Sequence, residues 1–226
     1  MLLKPQVMGL LGEAALAYLD QQPCFPGEKV IFVDCPKTGL QFFLRKMGDT
    51  LLIAFRGSDS LRDWLGNVRF WKKKVPYDNN SSSIRVHSGF IDAYKSEEVR
   101  NFIQGNVEKD VARIRVTGHS LGAAMAVLCA VDMQYNFPDR DIEVALFGCP
   151  RVGNKAFTRS YDKRVFKTLR VENGNDVVTK LPLALLGYRH VGARVAIGAA
   201  RVAGAISLEA HRPKNYLSNL WRVKGG

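Results

Sequence analysis

The sequence predicts an α/β fold. A mixed, mostly parallel central sheet is flanked by helices, with antiparallel strands on its N-terminal side. Three observations carry that expectation. From Ser120 onward, β-branched runs alternate with helical segments, the pattern of a parallel sheet covered on both faces. Before that, three strand-like runs at 30–33, 39–45 and 51–56 follow one another with only turns between them, which predicts an antiparallel meander. Between these regions, residues 114–128 begin as a β-branched run, pass through Gly118-His119-Ser120-Leu121-Gly122 and continue as an Ala-rich apolar segment. That is strand, tight turn and helix in succession.

The chain has 226 residues, 46% of them hydrophobic and 24% charged, an ordinary globular composition with length enough for one large core. One domain over 1–226 is the expectation. The formal charge is +12, from 33 Lys and Arg against 21 Asp and Glu. Such an excess suits nucleic acid, an anionic lipid surface, or solubility alone. Nucleic acid is not expected, because its binding also asks for interleaved aromatics along a groove. Cys24, Cys35, Cys129 and Cys149 match neither a zinc spacing nor a CxxC pair, so no metal site is expected. Cys129 and Cys149 read as small buried hydrophobes, whereas Cys24 and Cys35 could pair only in an oxidising compartment. No signal peptide is visible at Met1-Leu2-Leu3-Lys4-Pro5, which points to a cytoplasmic protein or one released without a visible signal. The longest apolar stretch, 191–208, is broken by Arg194, Arg201 and three glycines, so no membrane span is expected.

In chain order, Val7, Leu10, Leu11, Ala14, Ala15 and Tyr18 recur at helical spacing and predict an opening amphipathic helix, ended by the Pro23 and Pro26 region. The meander follows. Its third strand runs into Arg56-Gly57-Ser58-Asp59 and then a helix-like 61–70 rich in Trp, Leu and Phe, leading to Lys72-Lys73-Lys74 and a polar loop. A short lid over about 59–74 is one reading of that stretch; a surface helix with core aromatics is the other. A strand over 84–90 enters a helix expected to run to Gln104. The helix after Ser120 stops before Pro138. A strand over 142–147, a helix over 154–161 and a strand over 165–171 come next, and a helix over 215–221 closes the chain.

The turn at Ser120 has the form of a nucleophile elbow, G-x-S-x-G. The two glycines leave room for a sharp turn between strand and helix. Ser120 would stand at a helix N-terminus, where the Leu121 amide points toward a developing oxyanion. The bland alternative is a serine that merely caps a helix. A serine nucleophile needs a base, and the base needs an orienting acid; in sheets with this elbow the chain order is Ser, acid, His. Asp176 lies in a loop of turn residues after the 165–171 strand, with Glu172 as competitor nearer the strand. Only His190 and His211 follow. His211 is favoured because it lies in a loop, whereas His190 reads as strand. Ser58, at the end of an early strand, is the candidate second oxyanion donor, with helix capping as its alternative.

These residues resemble the class 3 lipase family, typified by fungal triacylglycerol lipases, over about residues 51–216. Phe55-Arg56-Gly57-Ser58 is similar to the family's oxyanion motif, and Val86-His87-Ser88-Gly89-Phe90 to its V-H-x-G-F. The stretch 116–123 is similar to its nucleophile motif, and 147–154 to its F-G-x-P-R-x-G-N. Residues 171–178 with Leu181-Pro182 resemble its acid loop, and His211 followed by Tyr216 its terminal His-then-Tyr region. The resemblance implies an α/β-hydrolase fold, no cofactor, and hydrolysis of acylglycerols or related carboxylic esters. It implies Ser120 as nucleophile, Asp176 as orienting acid and His211 as base, with oxyanion amides at Ser58 and Leu121. His87 and His190 would be structural. Phospholipid hydrolysis and acyl transfer to an alcohol would use the same triad. A non-catalytic basic binding module is the reading from a different class.

Overall fold

The computed structural model describes residues 4–19, 23–57, 71–75, 81–199 and 202–222. Helix α1 (Lys4–Leu16) leads into strands β1 (Glu28–Cys35), β2 (Leu40–Met47) and β3 (Thr50–Phe55). Strands β4 (Lys72–Lys74) and β5 (Arg85–His87) precede helices α2 (Ser88–Tyr94) and α3 (Glu97–Gly105). Strand β6 (Arg113–His119) feeds helix α4 (Leu121–Asn136), which returns to β7 (Asp141–Phe147). Then come β8 (Gly153–Asn154), α5 (Lys155–Arg164), β9 (Thr168–Asn173), β10 (Tyr188–Arg189), β11 (Ala193–Ile197) and α6 (Pro213–Arg222).

Among the described residues the main sheet has the order β1-β2-β3-β6-β7-β9-β11. The first two pairings are antiparallel and the remaining four are parallel, as the meander and the alternation predicted. Register decides what this sheet can do. Phe55 is opposite Gly118, Gly118 opposite Leu146, and Leu146 opposite Arg170. The carboxyl ends of β3, β6, β7 and β9 therefore lie in one row, and the loops leaving them share one edge, where open parallel sheets carry their ligand sites.

Both faces of the sheet are covered, so its central strands are buried along their length. Every residue of β3 is buried. Leu51, Ile53 and Phe55 pack into one core with α4, α2, α3 and α5, while Leu52 and Ala54 pack into a second with α1 and α6. The side chains alternate between these cores with the period of two that a pleated strand imposes. Helix α4 is buried almost all round, which explains why its sequence shows little amphipathic contrast.

Three elements differ from expectation. The helix expected to run from 90 to 104 is two helices, with Ser96 in extended geometry (φ −54°, ψ 140°) between them and Glu97 and Glu98 in the next first turn. Ser followed by two acids is a helix-start signal that overrides the apolar periodicity. Strand β11 went unrecognised inside the apolar 191–208 stretch; it extends the sheet beside β9, with Arg194 reaching Glu172 at 2.7 Å. Lys72–Lys74 is strand β4, in a small antiparallel sheet of order β10-β8-β5-β4. Strands of two or three residues are too short to display alternation. The rest of the expected lid, 59–70, lies outside the described residues. Among the described residues all four cysteines are free, and no helix is long and apolar enough to cross a membrane.

Candidate active site

Strand β6 ends at His119, and Ser120 turns the chain into α4 with φ 59° and ψ −127°. It is the one non-glycine residue with positive φ among the described residues. Such a conformation costs about 1–3 kcal/mol and persists where the surroundings over-determine it. Those surroundings are on both sides of the turn. The Ser120 amide donates to the Phe147 carbonyl at 3.0 Å, tying the elbow to β7. A Cβ on Gly118 would stand 2.4 Å from the Gly122 backbone, and one on Gly122 would stand 2.3 Å from the Phe55 carbonyl oxygen. The tight approach inferred from G-x-S-x-G is thus physical. Leu121 is the first residue of α4, so its amide has no acceptor in the preceding turn.

Asp176 follows β9 in the loop at the same edge and is fully buried. Both of its carboxylate oxygens lie against His211 Nδ1, at 2.9 and 2.8 Å. The Tyr216 hydroxyl, from α6, donates to Oδ2 at 2.5 Å, and the Val178 amide donates to Oδ1 at 2.8 Å. Burial alone would raise this carboxyl's pKa. The His211 and Tyr216 donors and the Val178 amide outweigh it, and the net direction is downward. Asp176 is held ionised. Its loop is also anchored to the 202–208 segment through a bridge to Ser207.

His211 closes a short 3₁₀ turn, Glu209–His211, just before α6 and is buried. With Nδ1 on a carboxylate, the neutral ring carries its proton there, and Nε2 is the basic atom. Nε2 is buried and has no hydrogen-bond partner among the described residues. The ring lies over Gly148, the residue after the Phe147 carbonyl that receives the Ser120 amide. A Cβ at 148 would stand 2.8 Å from His211 Cε1 and 3.0 Å from Asp176 Oδ2. Ser120, Gly148, Asp176 and His211 therefore converge at the ends of three neighbouring strands.

The competing residues go elsewhere. Glu172 sits within β9, buried and ion-paired with Arg170 and Arg194, with His190 Nε2 at 3.8 Å. His190 bonds the Thr179 carbonyl at 2.8 Å. His87 caps α2 by accepting from the Phe90 amide and stacks on that ring at 4.0 Å. Burial lowers its pKa to about 4. Ser58 lies outside the described residues. Two neighbours of the site went unassigned in the sequence. Tyr216 entered only as part of a motif. His119 was expected to leave the elbow on another face, yet its ring packs on His211 with centroids 4.4 Å apart. Neither role has a local signal, because each depends on a residue more than thirty positions away.

The strand order, the elbow and the loops at the carboxyl edge define an α/β-hydrolase. Within that class the chain belongs to the class 3 lipase family, whose model matches residues 52–186. A lipase of Rhizomucor miehei is 34% identical over 149 residues, 63% of this chain and 40% of that protein. The chloroplast phospholipase A(1) DAD1 of Arabidopsis thaliana is 34% identical over 157 residues, 62% of this chain and 35% of that protein. Each match spans less than half of the relative's length. Among solved structures, a triacylglycerol lipase described as having a catalytic centre formed by a serine protease triad superposes with a TM-score of 0.75. That match is 26% identical and covers 87% of this chain and 82% of that one.

Proposed function

We propose that the chain is a serine carboxylic ester hydrolase acting on acylglycerols or similar esters. The observation that carries this reading is the buried Asp176–His211 pair, with its free Nε2, at the strand ends that also bear the strained Ser120. In the first half-reaction Ser120 Oγ attacks the ester carbonyl carbon while His211 Nε2 takes the hydroxyl proton. The oxyanion is held by the Leu121 amide and by the amide and hydroxyl of Ser58, at about 3 kcal/mol per donor. The imidazolium then protonates the departing alcohol, leaving acyl-Ser120. Water repeats the sequence, giving its proton to Nε2 and releasing the acid. Asp176 remains a carboxylate throughout and stabilises the transient imidazolium.

The finer reading of partner is an anionic lipid surface. Leu185 is 96% exposed and Ile206 67% exposed, on the two segments that flank the Asp176 loop. Lysines anchor both: Lys72 bonds the Leu186 carbonyl and Lys180 the Ala205 carbonyl. Exposed apolar tips among cations, on a chain of net charge +12, suit a negatively charged interface. The likeness to a phospholipase A(1) supports phospholipid as a second ester to test.

Labelling with a fluorophosphonate, beside rates on p-nitrophenyl esters from acetyl to palmitoyl, tributyrin, and phospholipid vesicles with and without an anionic lipid, tests the reading. Stoichiometric labelling of the native protein that disappears in Ser120→Ala supports it. Full ester hydrolysis by Ser120→Ala, or a native protein that neither labels nor hydrolyses, defeats it.

A further inference from the structure

Tyr18 follows α1 in a turn in which its amide bonds the Ala15 carbonyl. Its hydroxyl is 2.9 Å from His119 Nδ1. The same oxygen occupies the space beside Gly57, where a Cβ would lie only 2.0 Å away, and the Arg56 guanidinium lies 5.8 Å from the ring centroid. One phenol thus touches the turn that precedes Ser58 and the residue that precedes Ser120. His119 passes the contact on. Its Nε2 is 2.7 Å from the His211 carbonyl oxygen, its ring is tilted 33° against the His211 ring, and the Tyr216 ring meets it at 74° with centroids 5.6 Å apart.

The partners fix the proton positions. A carbonyl oxygen only accepts, so Nε2 of a neutral His119 carries the hydrogen; Nδ1 then accepts, and the Tyr18 hydroxyl donates to it. The path runs Tyr18 O–H to His119 Nδ1, then His119 Nε2–H to the His211 carbonyl. Asp176 orients the His211 ring through its side chain, while His119 holds the backbone from which that ring hangs. Neutrality matters to the second arm, since a protonated His119 would confront the His211 imidazolium with ring centroids only 4.4 Å apart. The groups facing His119 are Tyr18 from the end of α1, His211 and Tyr216 from the C-terminal segment, and Asp176 from the β9 loop. Burial and the His211 charge together lower the His119 pKa to about 3, with Asp176 opposing them.

We propose that His119 is a positioning residue for acyl transfer, which fixes the His211 backbone to the nucleophile elbow, and that Tyr18 holds the His119 ring in place for this by donating to its Nδ1. The inference rests on the serine ester hydrolase reading. It makes the N-terminal helix part of the machinery although Tyr18 need not touch substrate.

Three variants test it on the whole chain: His119→Phe, which keeps the ring but not the donor, His119→Gln, whose amide N–H reaches the same carbonyl, and Tyr18→Phe. Active sites are counted by fluorophosphonate titration, and kcat and KM are measured on p-nitrophenyl butyrate with Tm alongside. A small misplacement of a reacting group costs about 100-fold in rate. His119→Phe should therefore lose about that in kcat with KM nearly constant. His119→Gln should recover about tenfold of the loss, and the kcat of Tyr18→Phe should fall between those of His119→Phe and the native protein. Equal kcat per titrated site in all three variants and the native protein overturns the inference. Equal losses in His119→Phe and His119→Gln, or losses confined to Tm, overturn it as well. If His119→Phe does not fold, a Tyr18→Phe enzyme with native kcat is enough to overturn it. Failure of the native protein to label would instead sink the hydrolase reading itself.

Discussion

Tyr216→Phe removes one oxygen from a fully buried position and leaves the ring in place, so no cavity confuses the result. That oxygen donates to Asp176 Oδ2 at 2.5 Å and accepts from the Asn173 amide at 3.2 Å. A hydrogen bond to a charged group contributes about 1.5–3 kcal/mol, and an orphaned buried amide costs about 1–3 kcal/mol more. A loss of about 3 kcal/mol is expected. At roughly 2.1 cal/mol/K of unfolding entropy per residue, a chain of this length converts that to a fall of about 6 °C in Tm. Tyr161 supplies the internal control. It is equally buried, but its hydroxyl bonds the neutral Thr168 hydroxyl at 3.0 Å. Tyr161→Phe should cost about 1 kcal/mol, the value of a neutral hydrogen bond. Urea unfolding of the two variants beside the native protein measures the difference, and ester hydrolysis adds a second axis. Tyr216→Phe should lower kcat, because Asp176 loses a donor that keeps it ionised against His211, whereas Tyr161→Phe should leave kcat near native. Equal stability losses, or native kcat in Tyr216→Phe, would refute the claim that this hydroxyl acts on the carboxylate.

The two candidate acids separate by substitution. Asp176→Asn should cost about 10⁴ in kcat, the effect of supporting the wrong histidine tautomer. Glu172→Gln should instead cost about 3–5 kcal/mol of stability, by stripping buried Arg170 of its counter-charge, while changing kcat per folded site by less than about threefold; the reverse pattern would reassign the acid. Stability should also fall with acid. His87 and His119 stay neutral in the native state down to about 4 and about 3, respectively, while an unfolded histidine protonates near about 6.5. Their contribution is complete above the unfolded value and drains as pH falls, at about 1.4 kcal/mol per pH unit for each imidazole. The depressed Asp176 carboxyl adds its own loss only below the unfolded carboxylate value of about 3.9. Urea midpoints at pH 7, 6 and 5 should decline steadily, and His87→Gln should halve the slope; a flat profile would contradict the neutral assignment of both rings.

The sequence by itself determined the elements whose physics is local. The closely spaced apolar runs of β1 to β3, the β-branched run of β6 and the long apolar α4 are written in neighbouring residues, as is the sharp turn at Ser120 that the two glycines permit. Chain order with loop context also favoured Asp176 over Glu172 and His211 over His190, because the spacing of loops after strands is a sequence property. Tertiary structure decided what local pattern could not encode. Strands β4 and β8 form only against β5, since two or three residues have no alternation to read, and β8 in turn carries β10. Ser96 split a helix that periodicity alone would continue. Glu172 became an ion-pair partner only once β11 brought Arg194 alongside. Tyr18, His119 and Tyr216 acquired their partners when α1 and α6 packed on the same face of the sheet. A side chain's hydrogen-bond partner depends on which surfaces meet, and that is set by the register of the sheet and the helices laid on it.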